Sequence, residues 1–414
     1  MKRYIVLIDL ECYTSAQLWK KSDIIVDNQP STSGKMRNKR VVVVGAGIGG
    51  LTCALAFAQR GADVYVYEQA SALKEIGAGI QVAPNGNRVL AALGLNCAIE
   101  SSSIVAQAVV PTDGLSGKVI ARFDLTGQEP QYRFFHRAAL VGLIGQGALA
   151  AGVVIKYGVH VKGIAENGSL NTNIGDIPCD LCVFADGFHS VSRLFLGNIV
   201  KPEFTGQVAW RATIATKDVE PVARIWMAPN RHVVTYPLAE GILNIVAVQE
   251  RETWAQEGWK HADDPDNMRA AFGDLCPELI EILGHVDKTY LWGLFRHPVA
   301  KYWHSDRLVI LGDAAHPTLP FLAQGANLAI EDGYVLARCC DEVDNLDAAL
   351  ALFQQERTVR VSRAIAVAND NARNYHLSGI KRRVAHIGLK TLGILAPNAF
   401  LKRLDWLYGF DATK

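Results

Sequence analysis

The sequence lacks any run of about 18 apolar residues, the length that a helix needs to cross a bilayer, so it predicts no transmembrane segment. It also lacks an excess of charge, because 42 Lys and Arg residues stand against 41 Asp and Glu residues, a formal net charge of +1. A nearly neutral chain has no overall field that attracts nucleic acid or an anionic membrane. We therefore expect no nucleic-acid partner and no segment that spans a membrane.

Cysteine is too sparse and too unevenly placed for a disulfide framework, with eight residues in 414. We expect no secretory signal, because Asp9 and Glu11 interrupt the apolar stretch near the start. Both features predict a reducing, cytoplasmic compartment. Cys179 and Cys182 have the spacing of a redox or zinc motif, but no second ligand pair follows them. Residues three apart in a buried strand point to opposite faces, so we expect two structural cysteines and no metal.

The length of 414 residues suffices for two to three globular domains, and half of the residues are apolar. Residues 20–40 are polar and rich in turn-forming residues, as linkers are. We therefore expect residues 1–35 to be a poorly ordered extension, of the kind that an upstream start codon adds. No internal repeat or low-complexity segment is present.

The stretch VVVVGAGIGG at residues 41–50 joins a β-branched apolar run to a glycine-rich turn. The run predicts a strand that is covered on both faces. Gly45, Gly47 and Gly50 form the pattern G-x-G-x-x-G, which also contains Gly49. In such a turn the first glycine allows a tight bend, the second lets the backbone approach a pyrophosphate, and the third lets the helix pack on the strand.

The segments that follow this turn supply the context that the glycine pattern needs. Residues 51–60 have helical spacing and stop at Gly61, and DVYVYE at residues 63–68 predicts a second strand that ends on Glu68. A carboxylate at this distance suits the ribose hydroxyls of an adenosine and repels a 2′-phosphate. The chain therefore predicts a dinucleotide site, although this unit alone does not separate NAD from FAD.

A second strand end, far along the chain, presents an aspartate. In RLVILGDAAHP, residues 307–317, an apolar strand stops at Gly312 and delivers Asp313 into a turn. Residues 326–340 then have helical spacing and follow Gly325. FAD is longer than its ADP half, so Asp313 can accept hydrogen bonds from ribityl hydroxyls while the helix N-terminus stabilises negative charge on the reduced flavin. Two strand ends that suit two parts of one cofactor predict FAD.

With these motifs the chain resembles the FAD-dependent aromatic hydroxylases of the p-hydroxybenzoate hydroxylase fold, and most closely the salicylate hydroxylase-like branch. A third motif, FADGFHSVSR, matches that family's Asp-Gly motif at Asp186 and Gly187. Matches typical of the branch are EIGAGIQVAPNGNRVLAALGL at 75–95, FFHRAAL at 134–140, TGQVAWRA at 205–212 and LDWLYGFDAT at 404–413.

The resemblance implies an α/β fold, in which a Rossmann-like FAD-binding domain carries an inserted mixed β-sheet substrate domain and C-terminal helices. We expect the FAD-binding domain to comprise residues 36–110, 131–200 and 299–375. The substrate domain is expected to comprise residues 201–298, and whether residues 111–130 contribute to it is left open. Residues 376–414 are expected to form a C-terminal helical segment. In that last segment basic residues alternate with Leu, Ile and Trp. We favour helices that pack on the FAD-binding domain over a helix that lies on a membrane surface.

The resemblance also implies which residues contact the cofactor. Glu68 is expected at the adenosine ribose, Gln81 near the isoalloxazine, and Asp313 at the ribityl chain. The full expected set is Gly45, Gly47, Gly49, Gly50, Glu68, Gln81, Arg137, Asp186, Gly187, Asp313, Gly325, Ala326 and Asn327. No second G-x-G-x-x-G exists, so NADH or NADPH is expected to dock transiently as a co-substrate.

The chemistry implied is the hydroxylation of a phenolic or heteroaromatic, carboxylated small molecule by O₂, through a flavin C4a-hydroperoxide. Such an oxygen is electrophilic, and a phenol becomes more reactive towards it when a base removes its proton. RHVVTYPL offers His232 and Tyr236, whose spacing puts both on one face of a strand. We expect His232 to take the phenolic proton, directly or through Tyr236, and Tyr236 to orient the ring; the alternative is a surface strand histidine with a core tyrosine. His316 is expected to order its loop.

Three residues are expected to line the substrate site: Pro320, Phe321 and Trp210. The first two form an apolar wall, which would hold the ring by shape. Two alternatives to the hydroxylase remain open, namely the same fold acting on a larger non-phenolic substrate, and a non-catalytic nucleotide-binding protein. The expected assembly is a monomer or a homodimer.

Overall fold

The structure is a computed structural model that describes residues 34–72, 79–165, 168–198, 201–251 and 261–414. The predicted extension therefore lies outside the described residues, except for its last two positions, and so do residues 75–78 of one matched stretch. The strands are β1 (Arg40–Val44), β2 (Asp63–Glu68), β3 (Gly79–Val82), β4 (Ser103–Val105), β5 (Ala108–Asp113), β6 (Phe123–Asp124), β7 (Arg133–His136), β8 (Val154–Tyr157), β9 (Val161–Ile164), β10 (Leu170–Thr172), β11 (Gly175–Ile177), β12 (Leu181–Phe184), β13 (Glu203–Ala215), β14 (Val222–Ala228), β15 (Arg231–Leu238), β16 (Ile242–Glu250), β17 (Ala262–Asp263), β18 (Thr289–Arg296), β19 (His304–Ser305) and β20 (Leu308–Ile310).

The helices are α1 (Ile48–Gln59), α2 (Pro84–Ala92), α3 (Asn96–Ser102), α4 (Arg137–Ala150), α5 (Ser192–Phe195), α6 (Pro265–Phe272), α7 (Pro277–Gly284), α8 (Gly325–Glu342), α9 (Leu346–Tyr375), α10 (Gly379–Leu395) and α11 (Pro397–Tyr408). Two short 3₁₀ turns, Gly312–Ala314 and Pro320–Leu322, lie between β20 and α8.

A six-stranded sheet with the order β19-β20-β12-β1-β2-β8 brings the two predicted strand ends together. β1 pairs in parallel with β2 and β12, and β12 pairs in parallel with β20. Parallel strands end at the same edge, so the glycine turn after β1 and Asp313 after β20 share one edge of the sheet. Helix α1 packs against α4 and α8 over this sheet, and the apolar run Val41–Val44 of β1 is buried.

A second sheet of eight strands, in the order β17-β18-β13-β16-β15-β14-β5-β6, has two differently covered faces. One face packs on α6 and α7 through apolar side chains such as Ile245 and Phe272. The other face turns Val248, Trp292 and Leu294 towards the Pro320–Leu322 turn and α9. Strands β5 and β6 join the sheet built by residues 203–296, so residues 108–124 contribute to it.

The C-terminal helices behave differently from each other. Helix α11 buries Leu407 and Tyr408 against α2 and β6, as the sequence predicts for a helix packed on the body. Helix α10, in contrast, has no buried side chain. In the part of the chain that the structure describes, no single helix is both long and apolar enough to cross a membrane; α10 and α11 meet that test only as a pair, and they are bent by 109°.

Candidate active site

The glycine turn after β1 has the shape that a pyrophosphate needs. Gly45 has a φ of +103°, and a Cβ added there would lie 2.4 Å from the Ala185 carbonyl oxygen. A Cβ on Gly50 would lie 2.1 Å from the Gly45 carbonyl oxygen, and one on Gly49 would lie 3.0 Å from the Leu311 side chain. A Cβ on Gly47 would meet no atom within 4 Å. Three glycines are therefore fixed by packing, while the space beside Gly47 is open and can take a phosphate at the N-terminus of α1.

This difference between the glycines gives a matched pair of predictions. Gly47→Ala is expected to fold normally and to lose FAD affinity by roughly tenfold or more, because its methyl group enters the phosphate space. Gly50→Ala is expected to fold poorly whether or not FAD is present. Thermal unfolding and FAD titration of both variants check this, and normal FAD affinity in Gly47→Ala would contradict the assignment of the phosphate site.

Glu68 connects the second strand to the same turn. Its carboxylate accepts a hydrogen bond from the Ala46 N–H at 2.9 Å and another from the Ala70 N–H at 2.8 Å. The first bond holds the end of β2 against the glycine turn. The predicted ribose-binding carboxylate thus lies beside the predicted phosphate site.

Asp313 lies at the other end of the site, in a position that suits a polyol. No described residue donates a hydrogen bond to its carboxylate, and burial raises its pKa although the charges of His316 and Arg137 act to lower it. A Cβ on Gly325 would approach Asp313 Oδ1 to 4.0 Å, so the start of α8 lies beside this carboxylate. The first N–H groups of a helix have no acceptor within the helix. Gly325 and Ala326 therefore present the donors and partial positive charge that a reduced flavin ring requires.

Asn327 and Gln81 connect α8 to strand β3. The Asn327 side chain accepts from the Ala83 N–H at 2.9 Å and donates to the Gln81 carbonyl oxygen at 3.1 Å. Its amide groups are used by the protein, so only its backbone remains for the cofactor. The Gln81 side chain accepts from Tyr132 Oη at 2.8 Å, and it acts to lower the pKa of Tyr236.

The Asp186 carboxylate orders its own turn. It accepts from the Val191 N–H at 3.0 Å and from Ser192 Oγ at 2.9 Å, and burial raises its pKa. Gly187 follows with a φ of +78°, which lets the chain reverse after β12. The carboxyl end of β12 lies between those of β1 and β20 in the sheet, so this turn belongs to the same edge. The open phosphate space, the Asp313 carboxylate and the start of α8 together fit FAD.

His232 and Tyr236 lie on one face of β15, as their spacing predicts. His232 pairs across the sheet with Val248, on the face turned towards the Pro320–Leu322 turn. Its side chain is only 2% exposed, which excludes a surface histidine. Its ring lies 5.5 Å from Phe321 and 5.1 Å from Tyr375, measured between ring centres.

The two nitrogens of His232 have different surroundings. Nδ1 lies 2.7 Å from His376 Nε2, whereas no described residue forms a hydrogen bond with Nε2. Burial lowers the pKa of His232 well below its ordinary value, and the nearby His376 lowers it further. His232 is therefore a neutral imidazole near neutral pH, with Nε2 available to a ligand.

Tyr236 lies further along the strand, next to the predicted flavin residues. Its ring centre is 5.0 Å from that of Phe134, and a Cβ on Gly79 would lie 2.6 Å from the Tyr236 ring. Burial raises its pKa, so the phenol stays protonated. A protonated hydroxyl can position a ring but cannot act as a base near neutral pH.

Two of the three predicted substrate-lining residues reach this face, and the third does not. Pro320 and Phe321 form the short turn that packs against His232. Trp210 points to the opposite face, where its Nε1 donates to Asp263 Oδ2 at 2.7 Å and its ring meets Phe272. The expectation that Trp210 lines the substrate site is therefore corrected, because the register of β13 turns it towards α6.

Comparison with known proteins agrees with this geometry. The sequence family described as "FAD binding domain" matches residues 38–368. A 3-amino-4-hydroxybenzoate 2-monooxygenase of Streptomyces platensis is 32% identical over 401 residues, which cover 90% of this chain and 96% of the relative. A 3-hydroxybenzoate 6-hydroxylase of Polaromonas naphthalenivorans (strain CJ2) is 32% identical over 397 residues, with the same coverage. The chain belongs to the FAD-dependent aromatic hydroxylases.

Solved structures support the fold of this hydroxylase. A salicylate hydroxylase–substrate complex superposes with a TM-score of 0.76 at 22% identity, over 91% of this chain and 96% of the other. Klebsiella pneumoniae HpxO in complex with FAD and uric acid gives a TM-score of 0.78 at 24% identity, over 89% and 97% of the two chains. The α/β fold with a mixed-sheet insertion and C-terminal helices, and FAD as cofactor, are thereby confirmed.

His316 of the hydroxylase has a structural partner. Its Nε2 lies 2.5 Å from Asp332 Oδ2, and its ring stacks on Trp303. The Asp332 carboxylate also accepts from the Gly312 N–H at 2.9 Å, so this pair fixes the turn that carries Asp313. The His316–Asp332 pair therefore orders the loop, as the sequence predicts, and His316 Nε2 is occupied by the Asp332 carboxylate.

Several functional side chains of the hydroxylase escape sequence reasoning. His376 and Glu250, which continue the chain of contacts from His232, lie far apart in sequence and belong to no motif. A second set of residues, the buried ion pairs behind the site, has a weak signal in the sequence. Glu331 and Asp332 lie on the buried face of a predicted helix, and buried carboxylates require cations as partners. Arg357 and Arg360 are those cations.

The cysteine pair differs from its prediction in one respect. Cys179 precedes β12, so strand alternation does not apply to it. Both cysteines are buried and neither is in a disulfide. Among the described residues, no three His, Cys, Asp or Glu side chains are grouped as metal ligands.

Proposed function

We propose that this hydroxylase uses NADH or NADPH and O₂ to add a hydroxyl group to a phenolic or hydroxylated heteroaromatic acid. The observation that carries the proposal is the His232 imidazole, which is buried in the sheet face opposite the Pro320–Leu322 turn and whose Nε2 forms no hydrogen bond with any described residue. When bound, FAD supplies the activation of O₂ after reduction by the pyridine nucleotide. The protein's own residues supply position, exclusion of water and removal of a proton.

His232 takes the role of general base. A neutral imidazole can accept the phenolic proton at Nε2, provided that the hydroxyl oxygen comes within about 3 Å of it. The lowered pKa keeps His232 neutral in the free enzyme, so the base is present before the substrate arrives. The resulting phenolate pushes electron density into the ring, which is what an electrophilic oxygen requires.

Tyr236 orients the ring and does not share the phenolic hydroxyl with His232. The Cα atoms of residues four apart on a strand lie about 13 Å apart, so the two side chains bracket a substrate. The phenol therefore meets His232 directly, and Tyr236 contacts the part of the substrate that lies nearer Gln81. Both contacts together fix which ring carbon faces the flavin.

A cation on the same face supports an acidic substrate. Arg211 pairs with Val246, which pairs with Val234, so its position lies between those of His232 and Tyr236 across the sheet. Its guanidinium stacks on Trp292 at 4.8 Å, and its charge acts to lower the pKa of Tyr236. The two relatives described above and a 6-hydroxynicotinate 3-monooxygenase of Pseudomonas fluorescens are each named for a hydroxylated aromatic acid.

A panel of aromatic compounds tests the proposal. The FAD-loaded protein is mixed with NADH or NADPH and with hydroxybenzoates, aminohydroxybenzoates, hydroxynicotinates and their methyl ethers. At least one free phenol or hydroxypyridine acid is expected to stimulate nucleotide oxidation and to gain one oxygen atom, while its methyl ether is expected to give no product. Turnover of the ethers at the same rate would show that no phenolic proton is removed.

The apolar wall favours one second candidate, the oxygenation of a larger non-phenolic substrate. Leu319 and Phe321 are both buried and pack with Trp292, so this side of the site presents apolar side chains. Product formation from apolar polycyclic compounds, with none from the phenolic acids, would select this candidate.

A further inference from the structure

A chain of three side chains leads from the substrate face to the protein surface. His232 Nδ1 lies 2.7 Å from His376 Nε2, and His376 Nδ1 lies 2.8 Å from Glu250 Oε1. The side chain of His376 is 2% exposed, whereas that of Glu250 is 44% exposed. The chain therefore begins at a buried imidazole and ends at a carboxylate in contact with solvent.

The chemistry of these groups fixes where the protons lie. An ionised carboxylate only accepts hydrogen bonds, so His376 must donate from Nδ1 to Glu250. A neutral His376 then accepts at Nε2, and His232 must donate to it from Nδ1. This leaves the lone pair of His232 on Nε2, the nitrogen that faces the substrate site. Gln207 Nε2 also approaches His376 Nδ1, but at 3.4 Å it is the longer contact, and the charge-assisted bond to Glu250 prevails.

We propose that Glu250 and His376 hold His232 in its base-competent tautomer and carry the substrate proton out to solvent. This inference rests on the proposed role of His232 as the base. As Nε2 of His232 takes the phenolic proton, the proton on Nδ1 passes to His376 Nε2. The proton on His376 Nδ1 passes to Glu250, which releases it to water. Each imidazole gains a proton at Nε2 and loses one from Nδ1, so no charge remains buried among the aromatic rings of Phe321 and Tyr375.

The groups around the relay agree with this direction of transfer. Burial lowers the pKa of His376, and the Glu250 carboxylate acts to raise it. His232 faces His376, Phe321 and Tyr375, and burial raises the pKa of Tyr375 to about 12, so that hydroxyl stays protonated. Glu250 is thus the only carboxylate in hydrogen-bond contact with the two imidazoles among the described residues.

The first test reads the tautomer directly, without turnover. In nitrogen-15 NMR spectra of the FAD-loaded, histidine-labelled protein, the His232 signal is identified by its absence from His232→Ala. We expect His232 to be protonated at Nδ1, and we expect Glu250→Gln to change this tautomer distribution. A His232 signal protonated at Nε2 in the unchanged protein would overturn the relay.

The second test separates the relay from the base itself. With the best phenolic acid of the panel, His376→Gln and Glu250→Gln are expected to lower hydroxylated product per NADH oxidised by roughly 10- to 100-fold, by analogy with loss of the hydrogen-bond partner that orients a metal-bound histidine. Glu240→Gln, an exposed position, is the control and is expected to have no effect. If His232→Ala uncouples the enzyme but the two relay variants do not, the relay is wrong while the base stands; if none of the three uncouples it, His232 is not the base and the relay falls with it.

A second inference, independent of the relay, concerns the exposed surface of helix α10. Helix α10 exposes five large apolar side chains to between 63% and 79% of their area, namely Ile380, Val384, Ile387, Ile394 and Leu395. At 3.6 residues per turn they form one stripe. The opposite side of the helix packs on the body, where Arg382 pairs with Asp113 and Gly393 lies against Ala121.

The charges beside the stripe indicate what covers it. Residues 376–404 contain six Lys or Arg residues and no Asp or Glu. Lys381 lies on one flank of the stripe and Arg383 and Lys390 lie on the other, and all three are exposed. An apolar stripe between basic flanks is the pattern of a helix that lies in an anionic lipid interface. We infer that α10 docks the hydroxylase on such a surface; this reverses the sequence interpretation for this helix.

Vesicle binding tests the docking surface. We expect the FAD-loaded protein to sediment with vesicles of phosphatidylglycerol and phosphatidylcholine, and not with phosphatidylcholine alone. The double variant Val384→Asp, Ile387→Asp is expected to bind at least about tenfold more weakly. Ile280→Asp, at an exposed position of α7, should bind normally. Absence of binding, equal binding by the double variant, or a dimer that the double variant dissolves would each overturn the lipid assignment.

Discussion

His232→Ala is expected to lower the yield of hydroxylated product by roughly 10²–10⁴-fold, while substrate-stimulated NADH oxidation continues. The reason is that the base serves oxygen transfer, which follows reduction of the flavin. Without phenol activation the electrons taken from NADH reduce O₂ to hydrogen peroxide. Rapid-reaction spectra combined with a peroxide assay measure both outcomes in one experiment.

The control for this variant is His285→Ala, at an exposed histidine after α7. It should keep full coupling. A His232→Ala protein that also keeps full coupling would place the base elsewhere. A His232→Ala protein that only loses FAD would show that the imidazole supports the fold.

Arg357→Met is expected to lower the free energy of unfolding by about 3–5 kcal/mol. Arg357 is fully buried, and its guanidinium lies 2.7 Å from both Asp332 Oδ1 and Glu331 Oε2, which are buried as well. Methionine fills much of the volume of the arginine side chain but removes the positive charge that Glu331 and Asp332 share. Since Asp332 also holds His316 and the Gly312 N–H, the turn that carries Asp313 should loosen with it.

The pH dependence of this variant gives a second check. Burial acts to raise the pKa of Asp332, but His316 and Arg357 lower it from 3.8 to about 2. A lowered pKa contributes stability above pH 3.8 that is lost as the pH falls through about 2. In Arg357→Met the pKa rises, so acid unfolding should begin at a higher pH.

Urea unfolding followed by fluorescence and circular dichroism measures the effect of Arg357→Met. The matched control is Arg373→Met, whose guanidinium pairs with Asp370 at the surface and is 77% exposed. An exposed pair contributes about 0–1 kcal/mol, so this control should unfold nearly as the unchanged protein does. Equal shifts for the two variants would contradict the stabilising role assigned to the buried network.

The parts of the site that sequence predicts are those with a local physical signal. The glycine turn, the strand ends at Glu68 and Asp313, and the helix after Gly325 each follow from periodicity or from a residue with special backbone freedom. Their meeting at one edge follows from the rule that parallel strands end together. The shared face of His232 and Tyr236 needs only strand alternation.

The parts that sequence misses depend on contacts between distant elements. Trp210 pairs with Ala247, whereas His232 pairs with the next residue, Val248, and this offset of one position sends the two side chains to opposite faces. Strand register is not visible in either strand alone. His376 meets His232 only because the end of α9 reaches the sheet, and no spacing in the sequence reports that.

Helix α10 shows a further limit of sequence patterns. The same alternation of basic and apolar residues describes a helix that packs on a body and one that turns its apolar side outwards. Arg382 and His386 decide the orientation, because they pair with Asp113 and so hold the polar side of the helix against the body, with the apolar stripe facing outwards. The sequence shows that these residues are basic but not that they have an acidic partner.

The most direct test of the central claim is the mass of the product formed under heavy-isotope O₂. The FAD-loaded protein is supplied with NADH and with the phenolic acid that most stimulates its oxidation. We predict a product that carries one added oxygen atom, derived from O₂ and not from water, and that this product falls with His232→Ala while peroxide rises. A product without the heavy isotope, or nucleotide oxidation that yields only peroxide with every phenolic acid, would contradict the assignment of a phenol hydroxylase.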